Sequence, residues 1–185
     1  VDQWKNADAD LQPAVTGVRY MTQAADPAAG PADTRTFVDA YIAGMKKLSD
    51  GMAGMTHLKD VRVAQGLRDM ELPADLGAAV PAWKRALNDA IMAWHRDSGI
   101  DCPDLNYIDA HGLGSAVNFC FPHYFLLPTF GSSSSYRIRP LGPEECLFEI
   151  WSLTRFPPGA EPPAIRTPTP LAPDDPAWPA IPMQD

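Results

Sequence analysis

The sequence predicts an α+β fold, a helical half followed by an antiparallel sheet. Three features predict it: apolar residues at helical spacing between positions 34 and 99, aromatic and β-branched residues concentrated between 115 and 156, and a Pro-rich end. Ten of the twenty prolines fall between Pro157 and Pro182, so residues 157–185 read as an extended wrap. At 185 residues the chain is long enough for a core of its own.

Residues 1–36 carry little pattern. Val15 to Met21 reads as one strand, and Ala24 to Thr34 as a loop. A first helix follows from Phe37, Tyr41, Met45, Leu48, Met52 and Met55, which form one stripe weakened by Gly44, Gly51 and Gly54. The methionines are consistent with an adaptable groove, but their stripe spacing favours core packing. A second helix is expected from Thr56 to Asp69, with Thr56 as N-cap. A third runs from about Ala74 or Pro81 to Arg96, burying Val80, Trp83, Leu87, Ile91 and Trp94, and Ser98-Gly99 ends it. Three strands then form a meander: Ser115 to Leu127, Ser134 to Pro140 and Cys146 to Phe156. Turns are expected at Gly131–Ser135 and Leu141–Glu144. Pleat alternation sets Cys146, Phe148 and Ile150 against Leu147, Glu149 and Trp151. It also pairs Arg137 and Arg139 with Glu149 and turns Tyr136 and Ile138 inward. A three-stranded sheet with open edges is incomplete, so the chain reads as part of a larger domain.

Net charge −8 argues against a nucleic-acid surface, which needs clustered Lys and Arg. No apolar run is long enough for a membrane span, and the first residues have no signal-peptide pattern. Cys102, Cys120 and Cys146 are widely spaced and odd in number, which fits reduced thiols in a cytoplasmic protein. Cys120 and Cys146 read as small buried hydrophobes.

Four histidines, His57, His95, His111 and His123, form no H-x-x-x-H pair. His57 and His95 fall at helix ends, where capping and dipole effects explain them. Asp109-Ala110-His111 has the spacing of a metal ligand pair, but beside Gly112 and Gly114 it reads as a solvated loop. His123 lies in the first strand and is a candidate to face a pocket. No nucleophile elbow, Walker loop or dinucleotide fingerprint is present. On residue types alone the function stays open.

Three segments narrow it. Phe121-Pro-His-Tyr-Phe-Leu-Leu-Pro-Thr129, Tyr136-Arg-Ile-Arg-Pro-Leu-Gly-Pro143 and Phe148-Glu-Ile-Trp-Ser-Leu-Thr-Arg-Phe-Pro-Pro-Gly-Ala-Glu-Pro-Pro163 follow one another in order. In that order the stretch from Asn118 to Pro163 resembles the catalytic domain of the large (alpha) subunit of Rieske-type aromatic-ring-hydroxylating oxygenases. It covers about a quarter of the chain. The resemblance implies a helix-grip (START-like) fold, with a curved sheet around a long last helix and an apolar cavity between them. Residues 1–185 would then be part of that catalytic domain, without its Rieske domain.

The family carries a 2Fe-2S Rieske cluster on two Cys and two His, and a mononuclear Fe(II) on two His and a carboxylate. This chain lacks both C-x-H pairs, and none of its histidines matches the iron-binding pair. The economical expectation is that the chain begins after those elements. The carboxylate falls at Gln184-Asp185, which makes Asp185 the implied metal ligand. Asn118, Cys120, His123, Tyr136 and Phe148 are the implied substrate pocket, with His123 standing where many relatives carry Asn. The implied activity is O₂-dependent hydroxylation of an aromatic or other apolar small molecule by the full-length enzyme, this stretch alone being inactive. The implied partners are a ferredoxin or reductase electron donor, in a homotrimer or α3β3 assembly. A stand-alone helix-grip module holding a hydrophobic ligand without metal is the alternative. A noncatalytic oxygenase subunit is disfavoured, because the matching segments are those of the large subunit.

Overall fold

The computed structural model describes residues 33–52, 54–114, 117–161 and 167–180. The expected strand at Val15–Met21, and Asp185, lie outside them. The described elements, in order, are helices α1 (Thr34–Gly51), α2 (Leu58–Gly66), α3 (Leu76–Asp97) and α4 (Leu105–Ala110), then strands β1 (Asn118–Cys120), β2 (Tyr124–Pro128), β3 (Ser132–Pro140) and β4 (Cys146–Thr154). The strands form an antiparallel meander in sequence order. The α+β reading holds.

The helices form where the sequence supplies both a stripe and a cap. Asp33 caps α1 by accepting the Thr36 N–H, and Phe37, Tyr41, Met45 and Leu48 are buried along one face, with Met52 and Met55 buried just beyond its end. The methionine stripe is therefore core, as its spacing implies. Asp75 caps α3, and Gly99 ends it at φ +70° in a Schellman turn, with Gly99 N–H bonded to Arg96 O and Ile100 N–H to His95 O. Phe37, Tyr41 and Trp83 meet edge to face at 4.9–5.9 Å, so the densest packing lies within the helical layer.

Four local expectations fail for identifiable reasons. The N-cap of α2 is His57, whose Nδ1 accepts the Lys59 N–H at 3.1 Å, and Thr56 is buried beside it. The buried face of α3 runs Trp83, Leu87, Ile91 and then His95, while Trp94 is 38% exposed. The step of four from Ile91 reaches His95, whose Nδ1 lies 2.8 Å from Ile91 O, so its polarity is satisfied inside the helix. The single strand expected at 115–127 is two, because the chain reverses at residues 121–123 and β1 pairs back on β2. The serines expected in a turn belong to β3, since Thr129 N–H closes on Ser132 O and the reversal is complete before Ser132. The short helix α4 has no counterpart in the sequence reading.

The sheet joins the helices along a narrow seam. Ser132 Oγ donates to Met55 O at 2.9 Å and accepts the His57 N–H at 3.0 Å, and Thr129 Oγ1 donates to the same Met55 carbonyl. These bonds bring the start of β3 onto the α1–α2 link. Residues 167–180 of the Pro-rich segment have no regular secondary structure; Trp178 Nε1 donates to Ala172 O to hold its own turn, and its ring stacks on Phe148 of β4.

Candidate functional site

Register assigns the side chains of the sheet to two faces. Phe119, Phe125, Tyr136 and Ile150 form one row across all four strands, and Ile138 opposite Phe148 forms the next row on the same face. Tyr136 and Phe148 meet edge to face at 5.3 Å, and the Phe119 and Phe125 rings lie 4.8 Å apart with their planes tilted by 34°. Tyr136 Oη donates to Met52 Sδ at 3.3 Å, which ties this row to the helical layer. Trp178 stacks on Phe148 with centroids 6.1 Å apart and planes at 12°. The result is an apolar aromatic surface with one phenol on it, open at the β1 end, where Phe119 is exposed and Phe121 is 87% exposed.

The opposite face is charged at its centre. Glu149 is buried and receives Arg139 Nε at 3.0 Å and Nη2 at 3.3 Å, with Arg137 Nε 4.0 Å away. Both arginines and the acid lie on one face, as the alternation requires, and Tyr136 and Ile138 lie on the other.

The five pocket positions divide between these faces. Tyr136 and Phe148 are brought together on the aromatic face. Asn118 pairs with Leu126, and Cys120 with Tyr124, in the rows of the charged face. His123 sits at the β1–β2 reversal, its carbonyl accepting the Ile138 N–H at 3.0 Å and its Nδ1 buried without a partner among the described residues. Cys120 and Cys146 are exposed rather than buried, because each stands at a strand end next to a reversal. Trp178 was not singled out in the sequence. Asp175 accepts the Ala177 N–H in the turn that presents this ring, so the acid–proline–tryptophan run was the available signal.

The described residues do not fit either iron centre. They contain no group of three His, Cys, Asp or Glu placed to hold a metal ion. Three histidines are committed elsewhere. His57 caps α2, His111 Nδ1 lies 2.8 Å from Tyr107 O with its ring stacked on that tyrosine, and His95 is buried between Ile91 and Lys59. Asp109 accepts Asn88 Nδ2 at 2.9 Å, so its oxygen joins α4 to α3.

A second polar group lies at the seam. Lys59 Nζ is 3.2 Å from His95 Nε2 and 4.5 Å from the centre of the Trp94 ring. Since His95 Nδ1–H donates to Ile91 O, its Nε2 accepts from the ammonium, and the imidazole is neutral. Burial lowers the pKa of His95 and of Lys59, and raises that of the Cys102 thiol. Asp60 is 1% exposed and its carboxyl is pushed up to about 6 by burial, against the opposing pull of Lys59 and the Gly131 N–H.

Comparison with protein-family models, curated proteins and solved structures returns no match.

Proposed function

We propose that this chain supplies the substrate-facing sheet of a ring-hydroxylating oxygenase, the terminal component that hydroxylates an aromatic or similarly apolar small molecule with O₂. The observation that carries the reading is the aromatic face. The three segments that resemble the family occupy successive strands of one meander, and Tyr136 and Phe148 meet on its apolar side. An apolar ring laid on this surface gains dispersion and edge-to-face contacts from Phe125, Tyr136 and Phe148, while the Tyr136 hydroxyl gives one polar reference point. Regiochemistry would follow from how that surface orients the ring. The reading requires two imidazole ligands and the cluster ligands from sequence other than these residues, with Asp185 completing the mononuclear site. A ferredoxin or reductase would supply electrons, and a homotrimer or α3β3 assembly would bring the centres of neighbouring chains together. A helix-grip arrangement would cover the aromatic face with a long helix. No described helix is long and apolar enough to cross a membrane, and a cytoplasmic location remains part of the proposal.

Titration of the isotope-labelled chain with naphthalene, followed by NMR, tests the substrate surface. The side-chain signals of Tyr136, Ile138 and Phe148 should move and saturate, while those of Arg137 and Glu149 stay in place. Unmoved Tyr136 and Phe148 signals at saturating naphthalene would sink the reading.

A further inference from the structure

We infer that Trp178 is a built-in cap on the aromatic face, an indole that holds the stacking place on Phe148 until a flat aromatic ligand displaces it. The cap rests on the reading of this face as a surface for aromatic ligands, and it sets how readily they bind there. The turn that carries the ring is a self-contained unit. Asp175 N–H and Trp178 Nε1–H both donate to Ala172 O, at 3.1 and 2.7 Å, and Trp178 N–H donates to Asp175 O at 3.1 Å. Asp175 Oδ1 accepts the Ala177 N–H at 2.8 Å. Pro176 and Pro179 flank Ala177-Trp178 and restrict the backbone at two positions of that short run. Among the described residues no hydrogen bond or ion pair joins 167–180 to a strand, and the indole is what meets the sheet.

The place the indole takes is the one a ligand ring needs. Its plane lies 12° from that of Phe148 with centroids 6.1 Å apart, an offset stack. Rings in contact stack about 3.5–4.0 Å apart, so a third ring between these two would need roughly 7 Å between their planes. A ligand therefore cannot slip beneath the indole. It takes the place of Trp178, or it stops short of Phe148 on Phe125 and Tyr136. Displacement disturbs little else, because Asp174, Pro176 and Ala177 are exposed and the hydrogen bonds of the turn travel with it. An offset aromatic pair shifts an equilibrium by a factor of about 2 to 13. The cap is then closed in most molecules but open in an appreciable fraction, and the apparent affinity of a ligand falls by that fraction.

The test compares naphthalene titrations of the wild-type chain and Trp178→Ala, read by NMR on the Tyr136 and Phe148 side-chain signals and, in the wild type, on the Trp178 ring protons. Removing the cap should tighten naphthalene binding by about three- to tenfold. In the wild type the Trp178 ring signals, displaced by stacking on Phe148, should move towards their values in the urea-unfolded chain as naphthalene saturates. Equal affinity of the two chains overturns the cap. So does weaker binding by Trp178→Ala, which would make the indole a wall of the ligand site. Saturable binding at Tyr136 and Phe148 with Trp178 unmoved overturns the cap and leaves the aromatic surface standing, whereas binding to neither chain overturns the surface and the cap with it. The wild-type Trp178 signals decide the matter even if the variant does not fold.

Discussion

Trp83, Gly131 and Asp60 carry the sharpest expectations at the residue scale. Trp83 is fully buried between Phe37 and Tyr41, and its Nε1 donates to Leu67 O at 3.3 Å. Trp83→Ala should therefore cost ~3–5 kcal/mol in chemical denaturation, the range for emptying an aromatic site in a packed core. Gly131→Ala should destabilise by about 1–3 kcal/mol, because the added carbon must displace a His95 ring held by Ile91 and Lys59. The pH dependence of unfolding sets Asp60 against the histidines. A carboxyl raised by burial binds its proton more tightly when folded, so its contribution is full at low pH and declines as the pH climbs from about 4 to about 6. His95 and His57 are lowered by burial, so they bind protons less tightly when folded and their contribution is lost as the pH falls below the free histidine range. Asp60→Asn should raise the melting temperature at pH 7.5. It should also make the protein lose stability more steeply on acidification from pH 7 to 5. A variant less stable than wild type at pH 7.5 would contradict the burial argument.

Among the elements, the charged sheet face and the helix caps carry the sharpest expectations. Glu149 is buried while both arginines facing it are close to half exposed. Losing Arg139 strands a buried carboxylate with Arg137 at 4.0 Å, whereas losing the acid leaves two arginines that reach water. Arg139→Ala should thus cost about 2 kcal/mol and Glu149→Gln about half of that, as read from urea unfolding. Asp75→Ala should cost ~1 kcal/mol by uncapping α3. Periodicity made α1 and most of α3 legible, because a stripe of six residues at steps of three and four has one helical solution. It misplaced the last turn of α3, where a histidine bonded to its own helix took the buried position that a tryptophan would be expected to hold. The meander was legible from its second hairpin, where Leu141 N–H and Gly142 N–H both reach Glu145 O. Its first strand was not, because Phe119, Phe121, Tyr124 and Phe125 follow one another closely enough to read as one strand and hide the reversal. The serines of β3 looked like turn residues, since nothing local announces that Met55 and His57 supply the partners of Ser132 from some seventy residues away.

Among the described residues, the helices hold the tight core and the sheet is joined to them at the start of β3 and through Tyr136 to Met52, leaving an aromatic face with Trp178 over part of it. Of the candidate site, the pairing of Tyr136 with Phe148 follows from alternation and register, and the separation of Asn118 and Cys120 from them follows from the unforeseen reversal. The seam of Asp60, Lys59, His95 and Gly131 was hidden, because it assembles four residues from three distant parts of the chain. The oxygenase reading makes one demand that no part of this scaffold can mimic. Protein expressed from the uninterrupted reading frame that carries these residues should show Rieske absorption bands, about one further iron per chain and incorporation of ¹⁸O from ¹⁸O₂ into an aromatic product. Asp185→Ala in that protein should remove the additional iron and the product while keeping the Rieske bands. If the substituted protein retains both, Asp185 is a surface acid; if the parent protein holds neither iron nor cluster, the oxygenase account itself fails.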